Sequence, residues 1–191
     1  MAVALLVMVV GVGVASLSSW YGAERFPAAA RKVEAMLRLA RAEAAARGRR
    51  VRLEFRADPA GEGEPRPLFV WEPQPLTEPG QYVPFTAAAW TANLPADILR
   101  ITRCERRGDS ALRTLTYNEQ ADPMSPSGWP LQGITFQPDG GCDSAILELV
   151  SVDDSDGRTA VILLDATTGD PNMRVLVPSE LEAYLEETTA R

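Results

Sequence analysis

The chain opens on nineteen residues, Met1 to Ser19, that carry no charge and are almost all apolar, and no charged side chain comes before Glu24. At about 1.5 Å rise per residue, Met1 to Trp20 as a helix reaches roughly 30 Å, about one hydrocarbon core. A secretory signal peptide would need a basic flank and a small-x-small cleavage site; the nearest approach is Ala15-Ser16-Leu17. A core helix, apolar on all sides, would need a larger domain to cover it. A membrane stem needs neither, and residues 1–23 are assigned to one. Gly11 and Gly13 would let a neighbouring helix approach closely in a bilayer.

Beyond the stem, the 191-residue chain has length for one ordinary domain, residues 24–191. Its charge is uneven. Residues 24–56 carry a net +6, and residues 57–191 a net −13. An acidic body argues against a nucleic-acid grip, so no nucleic-acid partner is expected. Arg25, Arg31 and Lys32 follow the stem, and basic residues there usually mark the cytoplasmic side. That rule compares two flanks, and no flank before Met1 is available. Glu34 with Arg38 and Glu43 with Arg47 also have the i,i+4 spacing of ordinary helix-surface pairs.

Residues 24–48 are written as an amphipathic helix. Nine alanines between 28 and 46 favour it. Val33, Leu37, Ala40 and Ala44 recur on one face, widened by Met36 and Leu39. Gly48 is placed to stop it. Pro27 fits either the first helical position or a kink. With a kink, stem and helix form one rod of about 46 residues.

After Gly48 the period changes to two. Arg50 to Arg56 alternates as a half-buried strand. Residues 57–96 hold eight prolines and read as an irregular insertion, with short apolar pieces at Leu68–Trp71 and Tyr82–Phe85. Strands are expected at Ile98–Arg103, Leu112–Tyr117, Gly133–Phe136, Ala145–Val152, Thr159–Leu164 and Arg174–Val177, as an antiparallel sheet over 98–178. Ser179 with Glu182 reads as a capping box opening a short helix over 179–190, with Leu181, Tyr184 and Leu185 on one face. The fold class is α+β: a long N-terminal helix packed on an antiparallel β-sheet head.

The chemistry is mostly excluded. Without histidine, Ser-His-Asp and Cys-His catalysis and His-metal sites are impossible. No Walker loop and no GxGxxG occurs. Asp153, Asp154 and Asp156 precede Gly157, but an EF-hand aligned on that glycine would place Val152 and Leu163 at its first and twelfth positions. A solvated hairpin turn is the expectation there, and in the loop with Asp58, Glu62 and Glu64. No catalytic residue, metal or cofactor is assigned.

Three stretches carry a family resemblance. Leu5-Leu6-Val7-Met8-Val9-Val10-Gly11-Val12-Gly13-Val14 is the apolar half of a stem. Val33 to Leu53 is the most specific stretch, a helix running into a first strand. Gly133-Ile134-Thr135-Phe136-Gln137-Pro138-Asp139-Gly140 and Leu164-Asp165-Ala166-Thr167-Thr168-Gly169 are the third. Together they resemble the type IV pilin-like proteins, specifically the H-type minor pseudopilins of type II secretion and related minor pilins. The Pro-rich insertion is not covered. The resemblance implies a single-pass inner-membrane protein with its head in the periplasm. A peptidase would trim it, it would be methylated, and an inner-membrane assembly platform would add it to a short filament with other pseudopilins. Leu5, Leu6, Val9, Val10, Val33, Leu37 and Ala40 are the expected stem and assembly-helix residues. The family's basic leader, cleavage-site Gly, Phe and embedded Glu are absent from this sequence. Either the chain begins inside the stem, which is the favoured expectation, or it is a divergent member that is not processed in the usual way.

With a periplasmic head, Cys104 and Cys142 become a candidate disulfide, because they are the only cysteines and are flanked by strands. Two other readings stay open. One is a type IV pilus minor pilin for adhesion or DNA uptake. The other is a membrane-anchored binding domain whose insertion aromatics, Trp71, Tyr82, Phe85 and Trp90, recognise a partner. Burial of those aromatics to tether the insertion is the plainer expectation.

Overall fold

A computed structural model describes residues 2–56, 65–86, 89–92, 94–106 and 131–189, without the side chains of 2–23, 92 and 185–189. Helix α1 runs from Ala2 to Arg47, 46 residues, with Pro27 inside it. Stem and amphipathic helix are therefore one rod. It ends where Gly48 takes φ +61°. The Gly48 N–H bonds to Ala45 O and the Arg49 N–H to Ala44 O, the paired bonds that satisfy a helix's last carbonyls.

Among the described residues eight strands follow, in two four-stranded antiparallel sheets. β1 (Val51–Arg56), β2 (Arg66–Trp71), β3 (Val83–Pro84) and β5 (Ile134–Phe136) form one, in the order β3-β2-β1-β5. β4 (Leu99–Arg106), β6 (Ala145–Ser151), β7 (Thr159–Leu164) and β8 (Pro171–Leu176) form the other, in the order β4-β6-β7-β8. The expected single sheet over 98–178 is thus corrected, because β5 joins β1. The Pro-rich segment is corrected too: it supplies β2 and β3 and is not wholly irregular. Its prolines fall where strands tolerate them, Pro67 near the start of β2 and Pro84 on the two-residue edge strand. The expected strand at Leu112–Tyr117 lies outside the described residues.

Both sheets and α1 share one core. Phe26, Val33, Leu37, Ala40 and Ala44 of the helix meet Leu53, Ile134 and Phe136 of the first sheet and Leu99, Leu147, Leu149 and Ile162 of the second. The helix fits closely because alanine recurs on its inner face. Each large buried side chain there contributes about 1.5–3 kcal/mol.

Helix α2 (Pro178–Thr189) covers the far side of the second sheet, with Leu181 and Tyr184 over Ile146, Val161 and Leu176. Its start corrects the expected cap. Pro178 opens the helix, and the Glu180 carboxylate accepts the Val177 N–H at 3.4 Å. The reciprocal acid is therefore Glu180 rather than Glu182, and proline at the first helical position has no N–H to satisfy.

Candidate functional site

The folded half of α1 has two faces. Val33, Leu37 and Ala40, expected to mediate assembly, are buried in the chain's own head. They are the contacts that fix helix to sheet. The outer face is Ala28, Arg31, Lys32, Ala35, Arg38, Leu39, Ala42 and Ala46, all exposed. Met36 is buried as expected, but the expected widening of the inner stripe by Leu39 is corrected: Leu39 is 43% exposed and is the large apolar residue of the outer face. Arg31 and Lys32 make no ion pair among the described residues, whereas Arg38 is held by Glu34 at 2.8 Å. The expected stem residues Leu5, Leu6, Val9 and Val10 lie on the N-terminal part of α1, where side chains are not described. Among the residues whose side chains are described, from 24 onward, no helix is long and apolar enough to cross a membrane.

Arg41 locks the helix to both sheets. Its Nε donates to Gly140 O at 2.9 Å, and its guanidinium also bonds the Asp170 carboxylate. Gly140 belongs to the turn between β5 and β6, and Asp170 to the turn between β7 and β8. The latter is held by Asp165, whose carboxylate accepts the Thr167 and Thr168 N–H groups and the Thr168 hydroxyl. Those bonds hold the Asp165 carboxyl below its ordinary range, the Thr168 N–H contributing most. The two turns are the third resembling stretch, and they meet at one arginine of the second. Sequence reasoning assigned Arg41 no role.

A groove of about 550 Å³ opens at the end of the head nearest the apolar run. Phe26, Ile98 and Val152 give it an apolar floor, and Asp97, Asp153, Asp156, Arg25 and Arg158 its charges. Arg158 bonds both oxygens of Asp156 at 2.7 Å and lies 5.8 Å from the Phe26 ring. Asp153 accepts the Ser155 hydroxyl and N–H, which holds its carboxyl below the ordinary range. These carboxylates build a hairpin turn, and among the described residues no group of three or more His, Cys, Asp or Glu is arranged to hold a metal.

At the opposite end, the insertion closes over the C-terminus of α1. Phe85 is 1% exposed, and Trp71, Tyr82 and Trp90 are half-buried. Trp90 meets Phe69 edge-on at 4.9 Å, and Trp71 lies 5.7 Å from Phe85. The Arg47 and Arg49 guanidiniums cover Trp71 at 5.8 and 5.1 Å. The aromatics are thus directed inward, as tethers. Glu72 was not singled out in the sequence and is wholly buried beside them. One oxygen accepts the Gly80 N–H at 2.6 Å, bracing the loop between β2 and β3, and Arg50 lies 3.8 Å from the other.

Cys104 and Cys142 are separate, buried free thiols. The Cys104 S–H faces Gln132 O at 2.9 Å, and the Cys142 S–H faces Asp143 O at 3.2 Å. The register explains the separation. Cys104 lies opposite Leu147 within β6, whereas Cys142 bridges Phe136 before β6 begins.

The family model described as type II transport protein GspH matches residues 29–168, more than half of the chain. The match takes in the folded half of α1, the Arg41 contacts up to Gly140, and every strand but β8. No curated protein and no solved structure matches.

Proposed function

This chain belongs to the GspH family of type II transport proteins, and we propose that it is a structural subunit of the short periplasmic filament of type II secretion. The family is one of pseudopilins, structural proteins rather than enzymes. In this reading residues 1–23 anchor the chain in the inner membrane and residues 24–191 form the periplasmic head. Other pseudopilins and the inner-membrane assembly platform are the partners.

The single observation that carries the reading is the division of α1. Its inner face is locked into the head at Val33, Leu37, Ala40 and Arg41, while its outer face stays open and the same helix continues back through the apolar run. A rod fixed in its head at one end can pack beside other rods along its free length. Any shift of a neighbour against the rod is then felt by the whole head. The alternative of a binding domain that uses insertion aromatics has less support, because Trp71, Phe85 and Trp90 pack against Arg47, Arg49 and Phe69. A minor pilin of a type IV pilus has the same architecture and differs only in its partners.

The test is fractionation of the full-length tagged chain from cells carrying the secretion apparatus. The expected result is an alkali-resistant membrane fraction from which other pilin-like secretion subunits co-isolate. Co-isolation with type IV pilus subunits instead would favour the minor-pilin reading. Recovery in the soluble fraction without any pilin-like protein would sink both.

A further inference from the structure

The two ends of the head carry opposite charge along α1. At the end nearest the apolar run is the groove floored by Phe26, Ile98 and Val152. Arg158 neutralises Asp156, while Asp97 and Asp153, with Asp154 in the same turn, make no ion pair among the described residues. Arg25 is the remaining cation of the groove, so carboxylates outnumber it. Val152 is 48% exposed, an apolar foothold beside those carboxylates.

The other end is basic. Residues 47–56 hold five arginines and one glutamate; Arg47 is paired with Glu43, and Arg52 and Arg56 with Glu54, so Arg49 and Arg50 are the least neutralised cations of this end. Phe26 and Arg47 are separated along the helix by roughly 30 Å. Arg49 lies over Trp71, and the side chain of Arg50 is 49% exposed. The carboxylate facing Arg50, that of Glu72, is 3.8 Å away, beyond hydrogen-bond length. Its Nε is already engaged, donating to Gln137 Oε1 at 3.2 Å, and the terminal guanidinium nitrogens keep N–H groups for a second acidic group.

We propose that the groove at Asp97, Asp153 and Val152 receives the arginine end, Arg49 and Arg50, of a second copy of this chain, head to tail. The inference rests on the subunit reading above. Charge complementarity selects the occupant. A two-fold dimer through either patch would bring like charges together, which is costly at an interface. A head-to-tail contact joins two different surfaces and so sets the acidic groove of one copy against the arginines of the next. An anionic lipid headgroup is disfavoured because Asp97, Asp153 and Asp154 would face its phosphate.

The test uses two differently tagged full-length chains in detergent, one carrying Ser155→Cys at the groove and the other Arg49→Cys, under mild oxidation. The expected result is a cross-linked pair of the two tags. Each variant alone should give no more dimer than the wild type, whose own thiols are buried. Adding Asp153→Arg to the first chain should lower the mixed dimer by about tenfold or more, and adding Arg50→Asp to the second should restore it. Restoration also rules out misfolding as the cause of the loss. The proposal is overturned if no mixed dimer rises above the wild-type background, if the single variants dimerise equally well, or if charge reversal changes nothing. Co-isolation with other pilin-like subunits is scored separately. If it persists while the mixed pair fails, the head-to-tail contact falls and the subunit reading stands. If the pair forms without any pilin-like partner, the reverse holds.

Discussion

Arg41, within the folded half of α1, donates its Nε–H to the carbonyl of Gly140 at 2.9 Å. The carbonyl is partly buried, and the same guanidinium reaches an exposed Asp170 on another turn. The two bonds differ in environment and should differ in worth. A charged donor to a shielded carbonyl contributes about 1.5–3 kcal/mol. A surface ion pair contributes about 0–1 kcal/mol. Arg41→Ala should therefore lower unfolding free energy by about 2 kcal/mol, and Asp170→Asn by less than about 1 kcal/mol. Urea melts of the two variants test the order, and a larger loss from Asp170→Asn would show that the ion pair is the tie.

Gly169 and Gly48 both take positive φ, +66° and +61°, and should respond differently to alanine. At Gly169 an added Cβ would lie 2.5 Å from Gly140 O and 3.0 Å from the Arg41 side chain, so the clasp itself must move. At Gly48 nothing lies within 4 Å. Gly48→Ala should cost only the left-handed backbone, about 1–2 kcal/mol. Gly169→Ala should exceed that, and should also remove most of the effect of Arg41→Ala in the double variant, because the clasp is already broken. Additive losses in that cycle would sink the idea that Gly169 acts through Arg41.

The helix was legible because its signal is local. Val33, Leu37, Ala40 and Ala44 repeat at helical spacing, and Gly48 ends the repeat within a turn. The clasp was not legible, because Arg41 lies 99 residues from Gly140 and 129 from Asp170. No periodicity connects such positions; only the meeting of the two turns does. The insertion misled for another reason. Prolines argue against central strands, yet Pro67 sits near the start of β2 and Pro84 on an edge, where no interior ladder bond is lost. Glu72 left no mark at all, since a lone glutamate between Trp71 and Pro73 reads as solvated. The two cysteines stand as free thiols because Cys104 faces Leu147 and Cys142 faces Phe136, pairings that sequence spacing does not set.

Leu37 and Leu39 separate stability from assembly. Leu37 is fully buried against both sheets, and Leu39 is 43% exposed on the outer face. Leu37→Ala should cost about 2–5 kcal/mol through transfer and cavity terms. Leu39→Ala should change stability by no more than about 0.5 kcal/mol. If the outer face packs against neighbouring rods, Leu39→Asp should reduce co-isolation of pilin-like partners while its melting curve stays close to wild type. Loss of stability comparable to Leu37→Ala would place Leu39 in the core instead.

The two thiols give the head a pH dependence on the alkaline side. Burial, with Asp143 and then Asp165 adding to it, pushes the Cys142 thiol up to about 11, and burial pushes Cys104 up further. An unfolded thiol loses its proton near 9.0. Between those values the unfolded chain has released a proton that the folded chain keeps, so rising pH favours unfolding. The contribution is whole below about pH 9 and falls by up to about 1.4 kcal/mol per pH unit per thiol until the folded thiol itself ionises, near 11 for Cys142. Urea midpoints at pH 8, 9 and 10 should therefore decline, and Cys142→Ala should flatten the decline whatever it does to stability at pH 8. The same burial predicts slow labelling of native protein by a thiol reagent at pH 8 and labelling of both cysteines once urea is added. Rapid labelling of the native chain, or a slope unchanged in Cys142→Ala, would mean that Cys142 is not shielded as placed.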